Sequence, residues 1–146
     1  MLLISLMYKH FPLNVTFTGY VENLPEYIAA ADLAIVPLTK GGGTRIKILE
    51  YMACGKPVVS TCIGAEGLDV ENGKEIILVD DIFDSFVEKV VELIDNKELR
   101  IKVGENARKK VIEKYNWYKA CREARKIYLD DCDMVKKRTR EKPRFH

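Results

Sequence analysis

Leu33-Ala34-Ile35-Val36-Pro37-Leu38-Thr39-Lys40-Gly41-Gly42-Gly43-Thr44-Arg45-Ile46-Lys47-Ile48-Leu49-Glu50-Tyr51-Met52-Ala53-Cys54-Gly55-Lys56-Pro57-Val58-Val59-Ser60 decides the fold. Residues 33–36 are continuously apolar and stop at Pro37, which predicts a strand covered on both faces, as in a parallel sheet. Residues 40–44 form a loop that no helix or strand would choose. Thr44 can cap a helix over residues 45–54, with Ile46, Leu49 and Ala53 facing inward. Gly55 ends that helix and Pro57 lies just beyond it. Val58-Val59-Ser60 is then a second short strand.

The same alternation continues on both sides. Residues 2–10 are apolar and read as helical or partly extended, until Pro12 and Asn14 break the run. Val15-Thr16-Phe17-Thr18 reads as a strand stopped by Gly19. Asn23 can cap a helix with Pro25 near its first turn and Glu26 following, burying Tyr27, Ile28 and Ala31. After a loop with Gly64 and Gly67, residues 75–79 are the last strand candidate. Phe83, Phe86, Val87, Val90, Val91 and Ile94 then recur at helical spacing. Asn96-Lys97 interrupts the run before two more helices, at 99–115 and 117 to about 131. Strands alternating with helices through short turns predict an α/β fold with an open parallel sheet, Rossmann-like, and a helical C-terminus. Residues 1–131 form one expected domain, and 132–146 a basic, frayed tail.

Composition narrows the function. With 146 residues, 47% of them hydrophobic, the chain can build a single core. Basic and acidic residues nearly cancel to a net charge of +2, which gives no field for a nucleic-acid partner. No apolar run approaches the roughly 18 residues that span a membrane. No basic residue precedes the apolar start and no small-residue cleavage site follows it, so it does not read as a signal peptide. The cysteines, at 54, 62, 121 and 132, make no C-x-x-C pair, and the two histidines lie at the ends. A zinc site is disfavoured, a disulfide is open but unneeded, and reduced thiols in a cytoplasmic protein fit best.

The glycine run carries the chemistry. Consecutive glycines imply positive φ or the close approach of another group. Here they lead into a helix N-terminus, whose free N–H groups and positive dipole end favour an anion. Arg45 and Lys47 put positive charge in the first turn, the wrong sign for the dipole unless an anion offsets it. A plain surface loop with two solvated cations is the alternative. Neither a Walker A nor a dinucleotide fingerprint is present. For Glu50, a surface ion pair with Lys47 three residues away is a sufficient explanation on chemistry alone.

The run from Gly41 to Thr61 closely resembles the donor segment of family-4 glycosyltransferases, which are GT-B enzymes. Residues 15–21 and 27–37 are similar to the two segments that precede it in that family. Gly64-Ala65-Glu66-Gly67-Leu68 and Tyr115-Asn116-Trp117 are similar to those that follow. The resemblance covers about residues 14–128. It implies the C-terminal, nucleotide-sugar-binding half of a GT-B fold, truncated at its N-terminus. Glu50 matches the second of the family's paired glutamates, implied to hydrogen-bond the donor ribose. Gly41, Gly42, Gly43 and Thr44 are implied to let the backbone approach the diphosphate and sugar. Gly19, Tyr20 and Val21 are implied to line the nucleobase pocket, although a half-exposed turn aromatic explains Tyr20 equally well. The family's first glutamate would fall at Gly42, and Arg45 or Lys47 is expected to contact the diphosphate instead.

The resemblance further implies retention of anomeric configuration, a nucleotide-sugar as substrate, and no metal, since no Asp-x-Asp motif is present. No cofactor is expected and no catalytic residue is assigned. The acceptor domain, and the first strand with its basic pair, are missing from this sequence. The expected partner is therefore a separate acceptor-domain chain or a second copy of this one. The rival reading is a non-catalytic nucleotide-sugar-binding or interaction module, or a gene fragment. A lesser reading puts the basic residues of 135–146 on an anionic membrane surface.

Overall fold

The structure is a computed structural model that describes residues 15–41 and 45–140, with side chains up to 129. It contains helix α1 (Leu24–Ala30), strand β1 (Ala34–Val36), helix α2 (Ile46–Ala53), strands β2 (Val58–Thr61) and β3 (Ile77–Val79), and helices α3 (Asp84–Asp95), α4 (Lys97–Lys114) and α5 (Trp117–Arg140). The strands form one parallel sheet in the order β1-β2-β3. Val36 pairs with Ser60, and Ser60 with Leu78. This is the expected α/β open parallel sheet with a helical C-terminus.

β2 is central and wholly buried. Its alternating side chains feed two cores, because successive residues of a strand point to opposite faces. Val58 packs with Ile48 and Met52 of α2, Ile76, and Ala107 of α4. Val59 packs with Ile77, Val79, Phe86 and Leu93 of α3, and Val103 of α4. Helix α4 thus contributes to both, through residues one turn apart.

Local chemistry explains the element ends. α2 closes in a Schellman turn: Gly55, at φ +70°, donates to the Met52 carbonyl, and Lys56 donates to the Tyr51 carbonyl. Asn96 ends α3 and starts α4, its side chain accepting the Leu99 N–H at 2.9 Å. Arg100 turns back to donate to the Leu93 carbonyl at 2.9 Å, satisfying the end of α3.

Several inward faces differ from expectation. In α2 the buried residues are Ile48 and Met52, while Ile46 and Ala53 are exposed and Leu49 is half-buried. Apolar residues stand on most sides of this helix, so periodicity alone does not select the inner one. The same ambiguity applies to α3. Phe86, Val90 and Leu93 pack inward, whereas Phe83, Val87, Val91 and Ile94 are exposed. In α1 only Ile28 is buried; Tyr27 and Ala31 are exposed. Asn23 caps α1 through its backbone carbonyl, without a side-chain bond.

β1 is not covered on both faces: Ile35 is 51% exposed. Residues 15–18 form no strand. A strand needs a ladder partner, and among the described residues β1 pairs with β2 alone. At the other end, α5 continues to Arg140, nine residues past the expected stop at Asp131. No glycine or proline interrupts residues 132–140, and most of them are good helix formers. Residues 2–10, Thr44 as a cap, and 141–146 lie outside the described residues.

Candidate functional site

Because β1 and β2 are parallel neighbours in register, the loops leaving their carboxyl ends start side by side. Buried Thr61 ties them together. Its hydroxyl donates to the Leu38 carbonyl and accepts the Gly64 N–H at 2.9 Å. Gly64 is required by space: a β-carbon there would collide with the Ser60 hydroxyl and stand 3.2 Å from the Val36 carbonyl. The result is two loops held together at the carboxyl edge of the sheet, where open α/β sheets place their ligands in a crevice.

Arg45 bridges these two loops. It occupies the N-cap position of α2, where its carbonyl accepts the Ile48 and Leu49 N–H groups and its side chain makes no capping bond. Its Nη2 donates to the Gly41 carbonyl at 3.2 Å and to the Glu66 carboxylate at 3.4 Å. The Arg45 side chain is only 8% exposed, against 74% for Glu66. Its Nε is buried and has no hydrogen-bond partner among the described residues. An unmet buried donor on a cation costs about 1–3 kcal/mol or more. Gly41 reaches its carbonyl position with φ +138°, a conformation side chains rarely adopt. The first turn of α2 contains no acidic residue. Positive helix end, buried guanidinium and unmet N–H are the chemistry that an anion's cradle requires.

The remaining expected site residues are spread around this cradle. Lys47 and Glu50 lie exposed on α2. No ion pair joins them among the described residues, so the simple explanation of Glu50 is not realised. At about 1.5 Å per residue, Glu50 sits roughly 7–8 Å along the helix from Arg45. Gly19 takes φ +65° and Tyr20 beside it is 91% exposed, with Val21 half-buried. No hydrogen bond joins this turn to the Arg45 cluster among the described residues. Gly42, Gly43 and Thr44 lie outside the described residues.

Three features were not singled out from sequence. Glu66 meets Arg45 across 21 positions of chain, a separation that carries no local signal. Thr61 lies one residue past the expected strand and ends β2 in the structure. Cys62, at the end of β2, donates its thiol to the Asp80 carboxylate beyond β3 at 3.2 Å. That hydrogen bond, then burial, then the Asp80 charge push the thiol above its ordinary 9.0. Among the described residues no three His, Cys, Asp or Glu side chains gather to hold a metal. No described helix is long and apolar enough to cross a membrane.

Known proteins match this architecture. The family Glycosyl transferases group 1 matches residues 5–96. An uncharacterized glycosyltransferase of Methanocaldococcus jannaschii is 33% identical over 118 residues, covering 79% of this chain and 30% of that protein. The N-acetyl-alpha-D-glucosaminyl L-malate synthase of Bacillus anthracis is 28% identical over 123 residues, 83% of this chain and 32% of that one. The chain thus spans about a third of the length of these relatives. The crystal structure of the C-terminal domain of a glycosyl transferase group 1 family protein from Francisella tularensis superposes with a TM-score of 0.61 at 25% identity. That match covers 68% of this chain and 52% of that one.

Proposed function

The chain belongs to the group 1 glycosyl transferases and corresponds to their C-terminal domain, and on that premise we propose that it holds the nucleotide-sugar donor. The observation that carries this reading is Arg45, a nearly buried cation with an unmet N–H at a helix N-terminus, set at the carboxyl edge of a parallel sheet. The donor diphosphate lies against Arg45 and the loop of Gly41, Gly42, Gly43 and Thr44, with Lys47 adding charge. The exposed carboxylate of Glu50 accepts hydrogen bonds from the ribose hydroxyls. Tyr20, between Gly19 and Val21, stacks on the base. As the bond to the sugar breaks, negative charge grows on the leaving diphosphate, and fixed N–H groups and cations aimed at it lower the barrier.

Transfer to an acceptor needs a second domain facing this crevice. The relatives are about three times longer than their matched segment, which leaves room in them for such a domain. A separate acceptor-domain chain or another copy is the partner that this reading calls for.

Calorimetric titration of the chain with a panel of nucleoside diphosphates and their sugars tests the reading. Saturable binding that weakens about tenfold in Glu50→Ala is expected, as for the loss of a hydrogen-bonded charged group. Binding unchanged by Glu50→Ala would remove the ribose role. A folded chain that binds no nucleotide would remove the donor reading altogether.

A further inference from the structure

We infer that Glu66 is a displaceable counter-anion, which exchanges with the ligand's phosphate at Arg45 and so sets how readily the diphosphate product leaves. This rests on the donor-site reading above and deepens it. The two partners of the pair are held very differently. Arg45 is 8% exposed, and a backbone carbonyl, that of Gly41, also holds its Nη2. Glu66 is 74% exposed, and a single contact of 3.4 Å joins it to the guanidinium. Charge-assisted bonds of full strength are about 2.7–2.9 Å, and arginine commonly binds a carboxylate or phosphate with two of them. The buried Nε makes no bond to Glu66. Glu66 therefore contributes charge to Arg45 without fixing its position, and its carboxylate can swing into water at little cost.

Fixed geometry and a weak internal anion have a functional consequence. A nucleoside diphosphate carries more negative charge than the sugar ester from which it is released. An uncompensated buried arginine would hold the product more tightly than the donor. A carboxylate that returns to Arg45 competes with both ligands alike, and so shortens the retention of the tightly held product.

Calorimetry on the full chain tests the exchange, with inorganic pyrophosphate, uridine diphosphate and guanosine diphosphate as probes. The variants are Glu66→Gln, Arg45→Ala and the double substitution, each checked for folding by urea denaturation. Glutamine keeps the size of the side chain and removes its charge. Glu66→Gln is expected to tighten pyrophosphate and the bound nucleotide about two- to fivefold, the scale of an exposed ion pair. The gain should shrink at high salt and vanish in the Arg45→Ala background. Unchanged or weaker binding in Glu66→Gln overturns the exchange and leaves the donor site standing. An equal gain without Arg45 also overturns it, because only overall surface charge is then at work. If pyrophosphate tightens in Glu66→Gln but neither nucleotide binds better than pyrophosphate, the exchange stands and the nucleotide reading falls. If no probe binds any form, both fall.

Discussion

Gly104 of α4 lies against Gly55, whose carbonyl oxygen occupies the space that a β-carbon at position 104 would need. This close approach brings the end of α2 onto α4 and sets the height of the Arg45 helix above the sheet. Gly104→Ala is therefore expected to destabilise the fold. Its helical preference gains about 1 kcal/mol, but overpacking against rigid backbone costs about 1–3 kcal/mol or more. The urea midpoint should fall with an unchanged slope. A midpoint at or above that of the unaltered chain would mean that the Gly55 turn simply slides away.

Thr61→Val keeps the shape of a buried side chain and removes its hydroxyl. Leu38 then loses a donor and the Gly64 N–H an acceptor. Each group left unmet costs about 1–3 kcal/mol. Exposed Leu38 can turn its carbonyl to water and buried Gly64 cannot. Denaturant unfolding should therefore show a loss of about 1–3 kcal/mol, and nucleotide affinity should weaken because the two loops are no longer joined. Lost stability with unaltered affinity would separate the Thr61 brace from the ligand site.

The loop after β2 is pinned to α4 by charge. Lys114 and Lys110 both reach the Asp69 carboxylate, and the Asp69 N–H donates to the Tyr115 hydroxyl at 2.7 Å. The hydrogen bond from Lys114, then that from Lys110, and then their charges hold Asp69 below its ordinary 3.8. A carboxyl depressed in the folded state stabilises above its unfolded value, and that contribution is lost as pH falls through the folded value. Lys114 is raised above 10.5, first by its bond to Asp69, so its contribution is present below 10.5 and lost as pH rises through the raised value. The gap in urea midpoint between the unaltered chain and Asp69→Asn should be flat near neutrality and close at both extremes. A gap that persists well into acid would point to packing instead of charge.

Cys62 is exposed, yet its thiol is bonded to Asp80 and titrates above 9.0. Less thiolate at pH 8 means slow alkylation. Asp80→Asn should raise the iodoacetamide rate at Cys62, followed by peptide mass spectrometry, with Cys121 in the same digest as an unaffected reference. A rate indifferent to Asp80 would mean that access, and not the carboxylate, limits the reaction.

The fold was legible where one residue type has one meaning. Gly55 followed by Pro57 marks a helix end, and the apolar run at Val58 and Val59 a buried strand; both are found there. Inner faces were less legible, since Ile46, Ile48, Leu49, Met52 and Ala53 offer several apolar stripes, and contact with β2 and α4 selects Ile48 and Met52. Residues 15–18 have strand-forming side chains, but a strand is a property of a pair. Local spacing put Arg45 at the start of a helix, which the structure places one residue later. Its partner Glu66 depends on two adjacent loops of a parallel sheet, which no local pattern encodes.

Asn72 has a consequence of another kind. Its side chain accepts the Leu78 N–H at 2.8 Å and donates to the Leu78 carbonyl at 3.4 Å, so an amide occupies the outer rim of β3. Bare strand rims are templates for fibrils and for swapped domains. Here one rim is already plugged by a residue of the same chain. Growth of this sheet is expected to be directional: an incoming strand meets the Asn72 amide at Leu78, while among the described residues no such plug covers the rim at residues 34–36.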